Sequence, residues 1–322
     1  MMRIGVLTSG GDCPGMNPCI RSIVRFGIYK GLEVMGIRRG YAGLIDNDII
    51  QMNAGSVSGI IYKGGTILKT ARSKYFMEKD GQKKAVENIR KSRIDALIVI
   101  GGDGSLRGAN VLSKVWKIPV VGVPSTIDND IWGTDFSIGF FTAVSTALEA
   151  IDKIRDTATS HERLFLIEVM GRTCGAIALW SGVAGGAEDI LIPEKHTDLD
   201  EICDRLEEGR KRGKVSSIII VAEGNKSGSV FEIASRISKK INYESRVVVL
   251  GHLQRGGSPC AWDRVLGTML GKAAVDALFK GESNVMVGFV NGKIKVSSLE
   301  NVLNNEKQAD LDLYSLNEIM AT

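Results

Sequence analysis

Long hydrophobic runs are missing from this 322-residue sequence. Charged residues interrupt its apolar stretches well before the roughly 20 residues that a membrane helix needs. The first residues, MMRIGVLTSGG, run straight into a predicted strand and turn. We therefore expect no export signal and no membrane span.

Proline is scarce as well, with six residues in the chain, and no proline- or serine-rich linker marks a domain boundary. Hydrophobic residues make up 44% of the sequence and charged residues 24%. These values are typical of an ordinary soluble globular protein, and the length is sufficient for two domains of common size.

Cysteine and net charge exclude two further classes of protein. The five cysteines are an odd number and have neither CxxC nor metal-ligand spacing, which predicts reduced thiols in a cytoplasmic protein and no zinc site. The 41 basic residues exceed the 37 acidic ones by only four. That excess is too small and too scattered to indicate a nucleic-acid or membrane surface, whereas anionic small molecules stay open as ligands.

Two common nucleotide-binding motifs are also absent. The sequence contains no GxxxxGK[ST], and it has no convincing GxGxxG with a following acidic ribose ligand. A simple P-loop site and a simple NAD site are therefore disfavoured.

What the sequence does contain is a recurring unit of a β-branched apolar run, a polar or glycine-rich loop and an amphipathic segment. Such near-continuous Val/Ile/Leu runs are typical of strands that are buried on both faces of a parallel sheet. The predicted strands lie within residues 3–11, 95–105, 118–126, 163–172, 216–224 and 245–257. The predicted crossover helices include residues 17–31, 81–92, 140–158 and 198–213. The pattern predicts an α/β fold.

Ligands of parallel sheets bind beyond the carboxyl ends of the strands, and here those ends carry Gly, Asp, Arg, His or Glu. Three glycine-containing loops, at residues 8–17, 62–72 and 100–110, could present backbone N–H groups to phosphate. Each loop taken alone is equally typical of a tight turn. The loops alone therefore do not predict a phosphate site, and the charged residues at the other strand ends must be considered with them.

The acids after the run 118–126 point to phosphoryl transfer. Asp103 and Asp130 suit a Mg²⁺ role, and Asp128 suits a base that accepts the proton of an attacking hydroxyl. The alternative is that Asp128 and Asp130 merely cap the following segment. Basic residues at other strand ends favour the functional interpretation, because they could bind a second phosphate and transition-state charge. They are Arg163, Arg172, Arg246, His252 and Arg255.

Ten segments occur in a characteristic order: GVLTSGGDCPGMN, GIRRGYAGL, GGTILKTAR, IGGDGS, TIDNDIWGTD, GFFTA, EVMGRTCG, AGGAE, VAEG and LGHLQRGGSP. GGDGS alone is shared with NAD kinases and lipid kinases, whereas TIDND, MGR and GHLQRGGSP together are far more specific. With these segments the chain resembles the bacterial-type ATP-dependent 6-phosphofructokinases over essentially its whole length. The resemblance implies transfer of the γ-phosphoryl of MgATP to the 1-hydroxyl of fructose 6-phosphate, the committed step of glycolysis.

Position by position, the resemblance implies three sets of site residues. The catalytic set is Asp128 as general base, Thr126 beside it and Arg172 on the transferring phosphoryl group. The ATP set is Gly11, Tyr41, Arg72, Ser73, Gly102, Asp103, Gly104, Ser105 and Gly108, with Asp103 and Asp130 linked to Mg²⁺. The sugar-phosphate set is Thr126, Asp128, Asp130, Arg163, Met170, Gly171, Arg172, Glu223, Arg246, His252 and Arg255.

The same resemblance implies the architecture and the assembly. It predicts two Rossmann-like, three-layer αβα domains with mainly parallel sheets and the active site in the cleft between them. The larger, nucleotide-binding domain comprises residues 1–139 and 254–304, and the smaller, sugar-phosphate-binding domain comprises 140–253 and 305–322. Arg163 and Arg246 of such enzymes reach the active site of a neighbouring subunit, which implies a cytoplasmic homotetramer.

Donor choice depends on two positions. Pyrophosphate-dependent relatives carry Asp where this chain has Gly104, and Lys where it has Ser125. Gly104 leaves the α-phosphate region open and Ser125 carries no cation, which favours ATP. Ser125 nevertheless departs from the Gly that is usual in the ATP enzymes.

An effector site for ADP or phosphoenolpyruvate is implied by basic positions and one acid: Arg21, Arg25, Arg155, Glu188, Arg212 and Lys214. A solvated helix face also accounts for Arg21 and Arg25. Ala54 and Gly59 replace an Arg and an Asp of bacterial relatives, so we expect a diminished or altered effector response. Two other functions stay open beside the kinase: a pyrophosphate-dependent enzyme and a catalytically silent regulatory paralogue. Tagatose or sedoheptulose phosphate also stays open as a substrate.

Overall fold

The computed structural model describes residues 2–161 and 163–321. The chain divides into two compact units, the first comprising Met1–Thr142 with Arg255–Lys307 and the second Ala143–Gln254 with Gln308–Thr322. The passage from the first unit to the second falls in the first turn of a long helix, α5 (Phe140–His161). No helix within the described ranges is both long and apolar enough to cross a bilayer.

The first unit contains a seven-stranded sheet in the order β11-β10-β5-β4-β1-β2-β3. Its strands are β1 (Arg3–Ser9), β2 (Glu33–Ile37), β3 (Ile49–Met52), β4 (Ala96–Gly101), β5 (Val120–Pro124), β10 (Val285–Val290) and β11 (Lys293–Ser298). The five inner strands are parallel, whereas β3 and β11 run antiparallel at the two edges. The long apolar runs thus lie at the centre of the sheet, where both faces are covered.

Helices cover both faces of this sheet. They are α1 (Met16–Tyr29), α2 (Gly40–Asp46), α3 (Lys79–Lys91), α4 (Asp103–Lys114), α9 (Ala261–Phe279) and α10 (Leu299–Asn304). Leu97 and Val99 of β4 belong to a buried cluster with side chains of α2, α3, α4 and α10. Because side chains alternate along a strand, Ile98 and Ile100 point to the other face, where α1 packs against α9.

The second unit is a smaller version of the same arrangement. Its four strands, β6 (Leu164–Val169), β7 (Asp189–Leu191), β8 (Ser217–Ala222) and β9 (Ser245–Val249), are all parallel and lie in the order β7-β8-β6-β9. One face is covered by α7 (Leu199–Lys211) and α8 (Val230–Ile241). The other face of the sheet contacts α6 (Ala176–Ala184), and α11 (Leu311–Met320) packs against α6.

All six predicted strands and all four predicted crossover helices are present, so the predicted α/β fold with mainly parallel sheets is confirmed. The strands that the sequence did not reveal are β2, β3, β7, β10 and β11. β11 reads KIKVSS and is largely exposed, so it lacks the continuous apolar run of a central strand. β7 has only three residues, which is too short to give a pattern.

Candidate active site

Three strands of the first unit end side by side. The register pairs Ser9 of β1 with Gly101 of β4, and Gly101 with Pro124 of β5. The amide of Ser125 continues this pairing by donating to the carbonyl of Gly101 at 3.0 Å. The loops that begin at residues 10, 102 and 125 therefore meet at one edge of the sheet, as the sequence predicts.

The loop after β4 leads directly into the N-terminus of α4. Gly102 precedes this helix and Asp103 is its first residue. The Asp103 carboxylate is about half exposed and pairs with Arg107, one turn later, at 2.8 Å. A Cβ built on Gly104 would meet nothing within 4 Å, so the space beside the first turn of this helix is open. The amide groups of the first turn and the positive end of the helix dipole suit an anion here.

Tyr41 lies behind this loop rather than on its surface. Its ring stacks on Phe76 with centroids 4.1 Å apart, and its hydroxyl donates to the carbonyl of Ser105 at 2.6 Å. Burial raises the pKa of Tyr41 above its ordinary value. A Cβ on Gly108 would lie only 2.8 Å from the tyrosine ring, so this helix position accommodates no side chain without displacement. The predicted nucleotide residues Tyr41, Ser105 and Gly108 thus form one packed contact that fixes the start of α4.

The loop after β1 contacts residues from distant parts of the first unit. The hydroxyl of Thr70 donates to the carbonyl of Gly10 at 2.8 Å. The guanidinium of Arg255 fills the space in which a side chain on Gly11 would stand, and it donates to the Asp12 carbonyl at 3.4 Å. Arg255, predicted for the sugar-phosphate site, therefore lies against the predicted phosphate loop.

The two remaining nucleotide positions lie in the segment before α3. Arg72 is exposed, and the hydroxyl of Ser73 accepts a hydrogen bond from the amide of Phe76 at 3.2 Å. Ser73 thus binds an amide within the short 3-10 helix Tyr75–Met77. Its hydroxyl therefore stabilises the local backbone.

The segment 125–139 carries the predicted base. Asp128 is buried, and its amide donates to the hydroxyl oxygen of Thr126 at 3.2 Å. Asn129 has a left-handed backbone with φ of 53°, which asparagine tolerates better than most residues. Its side chain accepts from the amide of Ser137 at 3.0 Å and donates to the carbonyl of Asp135 at 3.1 Å. Asn129 closes the loop and so holds the residues on either side of it.

Asp135, the third acid of this segment, has a structural role. Its carboxylate accepts from the amide of Asn291 at 2.7 Å, and its amide donates to the carbonyl of Phe289 at 2.7 Å. Asp135 therefore fastens the loop to the turn between β10 and β11. Asp130 is half-buried and lies two residues beyond Asp128.

Ser125 turns its side chain into the protein. Its hydroxyl lies 3.1 Å from the thiol of Cys13, and both residues are buried. The thiol also contacts the carbonyl of Ile138 at 3.1 Å. Burial is the main cause that raises the pKa of Cys13 to about 12. The serine that departs from the usual glycine is thus accommodated by a buried partner on the neighbouring loop.

The carboxyl edge of the second sheet holds another group of predicted residues. The carboxylate of Glu223, directly after β8, accepts from the amides of Gly171 at 3.4 Å and Arg172 at 2.8 Å. Arg172 has a left-handed φ of 52°, a conformation that costs energy and tends to mark functional sites. Met170 is buried at the end of β6. Glu223 therefore holds the MGR loop in its strained conformation.

His252 lies just beyond the end of β9, in the 3-10 helix Gly251–Arg255. Its side chain is exposed. The β6–β9 register pairs Glu168 with Val249, and the amide of Leu250 donates to the Glu168 carbonyl at 3.0 Å. His252 thus follows a strand end that adjoins the strand leading to Met170.

Arg163 and Arg246 lie at the opposite edge of this sheet. Arg163 directly precedes β6, and Arg246 is the second residue of β9. Both contact the carboxylate of Glu244, which lies 3.2 Å from the Nε of Arg163. These two basic residues therefore lie at amino-terminal strand ends, whereas Arg172 and His252 follow carboxyl ends.

The predicted effector positions are spread over both units. In the second unit, Arg155 donates to the carbonyls of Gly185 and Gly186 at 2.5 and 2.7 Å. Lys214 pairs with Glu188 at 2.9 Å, and that carboxylate also accepts from the amide of Ile218. The remaining positions are Arg212, which is exposed, and Arg21, Arg25, Ala54 and Gly59, which lie on or near α1 and the end of β3.

No group of three or more His, Cys, Asp or Glu side chains within the described ranges could form a complete metal cage. Mg²⁺, however, usually binds through one or two carboxylates together with substrate phosphates and water. The half-exposed carboxylate of Asp103 and the half-buried Asp130 fit that mode of binding.

Sequence reasoning missed several residues that shape the site. Asn129 and Ser137 contact each other within the loop 125–139, and Glu244 contacts Arg163 and Arg246 at the amino-terminal edge of the second sheet. The TIDND segment gave one usable signal, because an asparagine between two aspartates is well suited to a left-handed turn. The contact of Asn129 with Ser137 spans a loop, and Glu244 is 81 residues away from Arg163. These contacts could be identified only in the folded structure.

Two mainly parallel α/β sheets with glycine loops, acids and a strained arginine at their carboxyl ends are typical of proteins of the phosphoryl-transfer class. Residues 3–278 match the family model described as Phosphofructokinase. The chain belongs to the phosphofructokinase family.

Individual relatives agree with this membership. The ATP-dependent 6-phosphofructokinase of Halalkalibacterium halodurans is 56% identical over 318 residues, covering 99% of each chain. That of Halothermothrix orenii is 52% identical over 331 residues, covering 100% of each. A Saccharomyces cerevisiae phosphofructokinase structure matches with a TM-score of 0.90 and 34% identity, over 94% of this chain but only 45% of the yeast chain. The pyrophosphate-dependent enzyme of Marinobacter aquaeolei shares the fold, with a TM-score of 0.85 at 23% identity over 97% of this chain and 86% of that one.

Proposed function

We propose that this protein is an ATP-dependent 6-phosphofructokinase, which transfers the γ-phosphoryl of MgATP to the 1-hydroxyl of fructose 6-phosphate in glycolysis. The observation that carries the proposal is the full-length identity of more than 50% to bacterial enzymes with that name. The open space in front of Gly104 supports a nucleotide as donor, since the α-phosphate and its substituents need room there.

The chemistry needs a base, a positioned donor and compensation of charge. Asp128 is the proposed base, which accepts the proton of the 1-hydroxyl as the phosphoryl group is transferred. Its burial protects the carboxylate from bulk water, and the loop closed by Asn129 fixes its position. Arg172 is the proposed stabiliser of the transferring group, and its backbone is held in a strained conformation by Glu223.

The nucleotide would bind at the carboxyl edge of the first sheet. Backbone amides after β1 and at the start of α4 would face its phosphates, and Arg72 is exposed for an additional contact. Asp103 and Asp130 would hold Mg²⁺, which neutralises phosphate charge when it is bound. The Arg107 partner of Asp103 would then share that carboxylate with the ion.

The sugar phosphate would bind at the carboxyl edge of the second sheet. The exposed His252 and the loop Met170–Arg172 are the proposed contacts from this chain. Arg163 and Arg246 are proposed to serve a neighbouring subunit in a homotetramer. A cytoplasmic location is also part of the proposal, and the buried thiols Cys13, Cys19 and Cys203 support it, because cytoplasmic proteins keep cysteines reduced.

The effector site is proposed with a weakened response. Arg155 and Lys214 already have partners within the second unit. Ala54 and Gly59 offer no charge to an anion. An effector phosphate would therefore have fewer cationic contacts available than in relatives with a basic residue at position 54.

The decisive experiment is an initial-rate assay with fructose 6-phosphate and either MgATP or Mg-pyrophosphate, on the wild type and on Asp128→Asn. We expect turnover with ATP, and a loss of about 10²- to 10⁴-fold in kcat when the base is removed. Asp135→Asn provides a matched control on the same loop, because the asparagine keeps an oxygen that can accept from the amide of Asn291. Its kcat should stay within a few fold of wild type.

Two results would contradict the proposal. Turnover with pyrophosphate alone would identify the other donor class, which shares the fold. A folded, intact oligomer that is inactive with both donors would instead favour a silent regulatory paralogue.

A further inference from the structure

Asp263 is a buried acid that the proposed chemistry does not use. It lies in the first turn of α9, and none of its surface is exposed. Burying a carboxylate is costly unless hydrogen bonds compensate for the lost water. The partners of Asp263 therefore show what this residue stabilises.

One partner is the thiol of Cys260, which precedes α9 and lies 3.6 Å from a carboxylate oxygen of Asp263. The others belong to the start of another helix, α5. One carboxylate oxygen accepts from the amide of Gly139 at 2.9 Å, and the other accepts from the amide and the hydroxyl of Thr142 at 2.8 and 2.6 Å. The Thr142 hydroxyl in turn accepts from the amide of Cys260, at the start of α9, at 3.0 Å. Asp263 thus joins the N-termini of two helices, and the positive ends of both helix dipoles favour its charge.

The segment that Asp263 holds also contacts the residues next to the proposed base, Asp128. Gly139 follows Ile138, whose amide donates to the carbonyl of Pro124 and whose carbonyl accepts from the amide of Thr126, both at 3.1 Å. The hydroxyl of Ser137 donates to the Thr126 carbonyl at 2.7 Å. Residues 137–139 therefore form a return segment that pairs with the residues leading into Asp128.

The conformation of the return segment at Gly139 depends on the hydrogen bond to Asp263. Its φ is +101°, and a Cβ at this position would lie 2.6 Å from the Cβ of Cys13. A glycine has no side chain to hold it in place, and its backbone is freer than that of other residues. The hydrogen bond from its amide to Asp263 supplies the missing restraint.

We propose that Asp263 is a positioning residue for phosphoryl transfer: it fixes Gly139 and the return segment, and thereby places Thr126 and Asp128. The proposal rests on the proposed function, because it assumes that Asp128 is the base. A residue that only stabilised the fold would affect unfolding, but it would not lower kcat selectively in the folded enzyme.

The test compares Asp263→Asn with Asp276→Asn in the intact oligomer. The asparagine amide presents a donor where Asp263 only accepts, so it cannot accept from the Gly139 amide, the Thr142 amide and the Thr142 hydroxyl together. Asp276 lies on the same helix but pairs with Lys272 near the surface, which makes it a matched control. We expect Asp263→Asn to lower kcat about tenfold to a hundredfold, the effect of a displaced catalytic group, with both KM values within a few fold of wild type.

A second measurement does not depend on activity. Hydrogen exchange of the amides in residues 125–139 should be faster in Asp263→Asn than in wild type, and unchanged in Asp276→Asn. If the wild type proves inactive, the proposed function fails, whereas this exchange comparison still tests the anchoring role of Asp263.

Thr142 supplies a milder pair of variants in case Asp263→Asn does not fold. Thr142→Val removes the hydroxyl that contacts Asp263 and should lower kcat severalfold, whereas Thr142→Ser should restore it. Normal kcat in a folded Asp263→Asn or Thr142→Val enzyme would overturn the proposal. A loss confined to KM, or unchanged exchange in residues 125–139, would overturn it as well.

Discussion

Two glycines of α4 differ in their surroundings although they are only four residues apart. A Cβ at Gly104 would extend into open space, whereas a Cβ at Gly108 would lie within 3 Å of the Tyr41 ring. Replacing glycine by alanine favours a helix by up to about 1 kcal/mol where there is room. The same substitution therefore has opposite consequences at the two positions.

We predict that Gly108→Ala lowers the free energy of unfolding by about 1–3 kcal/mol, because the added methyl overpacks a buried contact. Gly104→Ala should preserve or raise that free energy, yet raise the KM for ATP if the open space receives the donor phosphates. Denaturant unfolding and initial rates on both variants measure the two effects separately. Equal stabilities for the two variants would show that the contact between Tyr41 and α4 can relax.

At the scale of elements, the loops after β6 and β8 depend on one carboxylate. Glu223 accepts the amides of Gly171 and Arg172 and so stabilises the left-handed backbone of Arg172. We predict that Glu223→Ala lowers kcat/KM for fructose 6-phosphate about tenfold to a hundredfold, the range expected for losing a hydrogen bond to a charged group. Glu223→Gln should lower kcat/KM by less, since its side chain retains an acceptor oxygen.

Steady-state kinetics over both substrates would measure this effect. Glu232→Ala is a suitable control, because that carboxylate also accepts a backbone amide, from Ser229 at 2.8 Å, but it belongs to the capping box of α8. The control should keep its kcat/KM. If Glu223→Ala matched the control, the carboxylate would not be needed to hold the loop.

Glu223 also affects the neighbouring Glu168. Burial, and to a lesser degree the charge of Glu223, raises the pKa of Glu168 above its ordinary value of 4.5. The folded protein therefore binds this proton more tightly than the unfolded chain, so ionisation of Glu168 lowers the free energy of unfolding as pH rises above 4.5. In Glu223→Gln that decline should be smaller, and unfolding curves across this pH range would detect the difference.

The elements also show what the sequence alone could predict. The central strands were predictable because burial on both faces requires continuous apolar runs, as in ALIVIG of β4. The edge strands were not, because an exposed strand such as β11 can be polar. The acids and glycines at strand ends were predictable from the position of the strands. The use of Asp135, Asp263 and Glu223 as anchors was not, since each binds backbone amides from distant segments.

At the scale of the whole molecule, the positions of Arg163 and Arg246 bear on assembly. Both lie at the amino-terminal edge of the second sheet, and Met170 lies at the other end of β6. A strand of six residues is about 20 Å long, which exceeds the reach of an arginine side chain. These arginines therefore cannot contact a ligand at the carboxyl edge of their own sheet.

If the two arginines complete the active site of a neighbouring subunit, inactive variants should complement each other. Asp128→Asn chains would retain Arg246, and Arg246→Ala chains would retain Asp128. Random reassembly of equal amounts would then create intact sites at about a quarter of positions, because each intact site needs one chain of each kind in the right order. We expect the mixture to recover about that fraction of wild-type kcat after denaturation and joint refolding, and only the residual activity of each variant when the two are refolded separately. An inactive mixture of properly assembled oligomers would place each site within a single chain and leave the two arginines with a structural role beside Glu244.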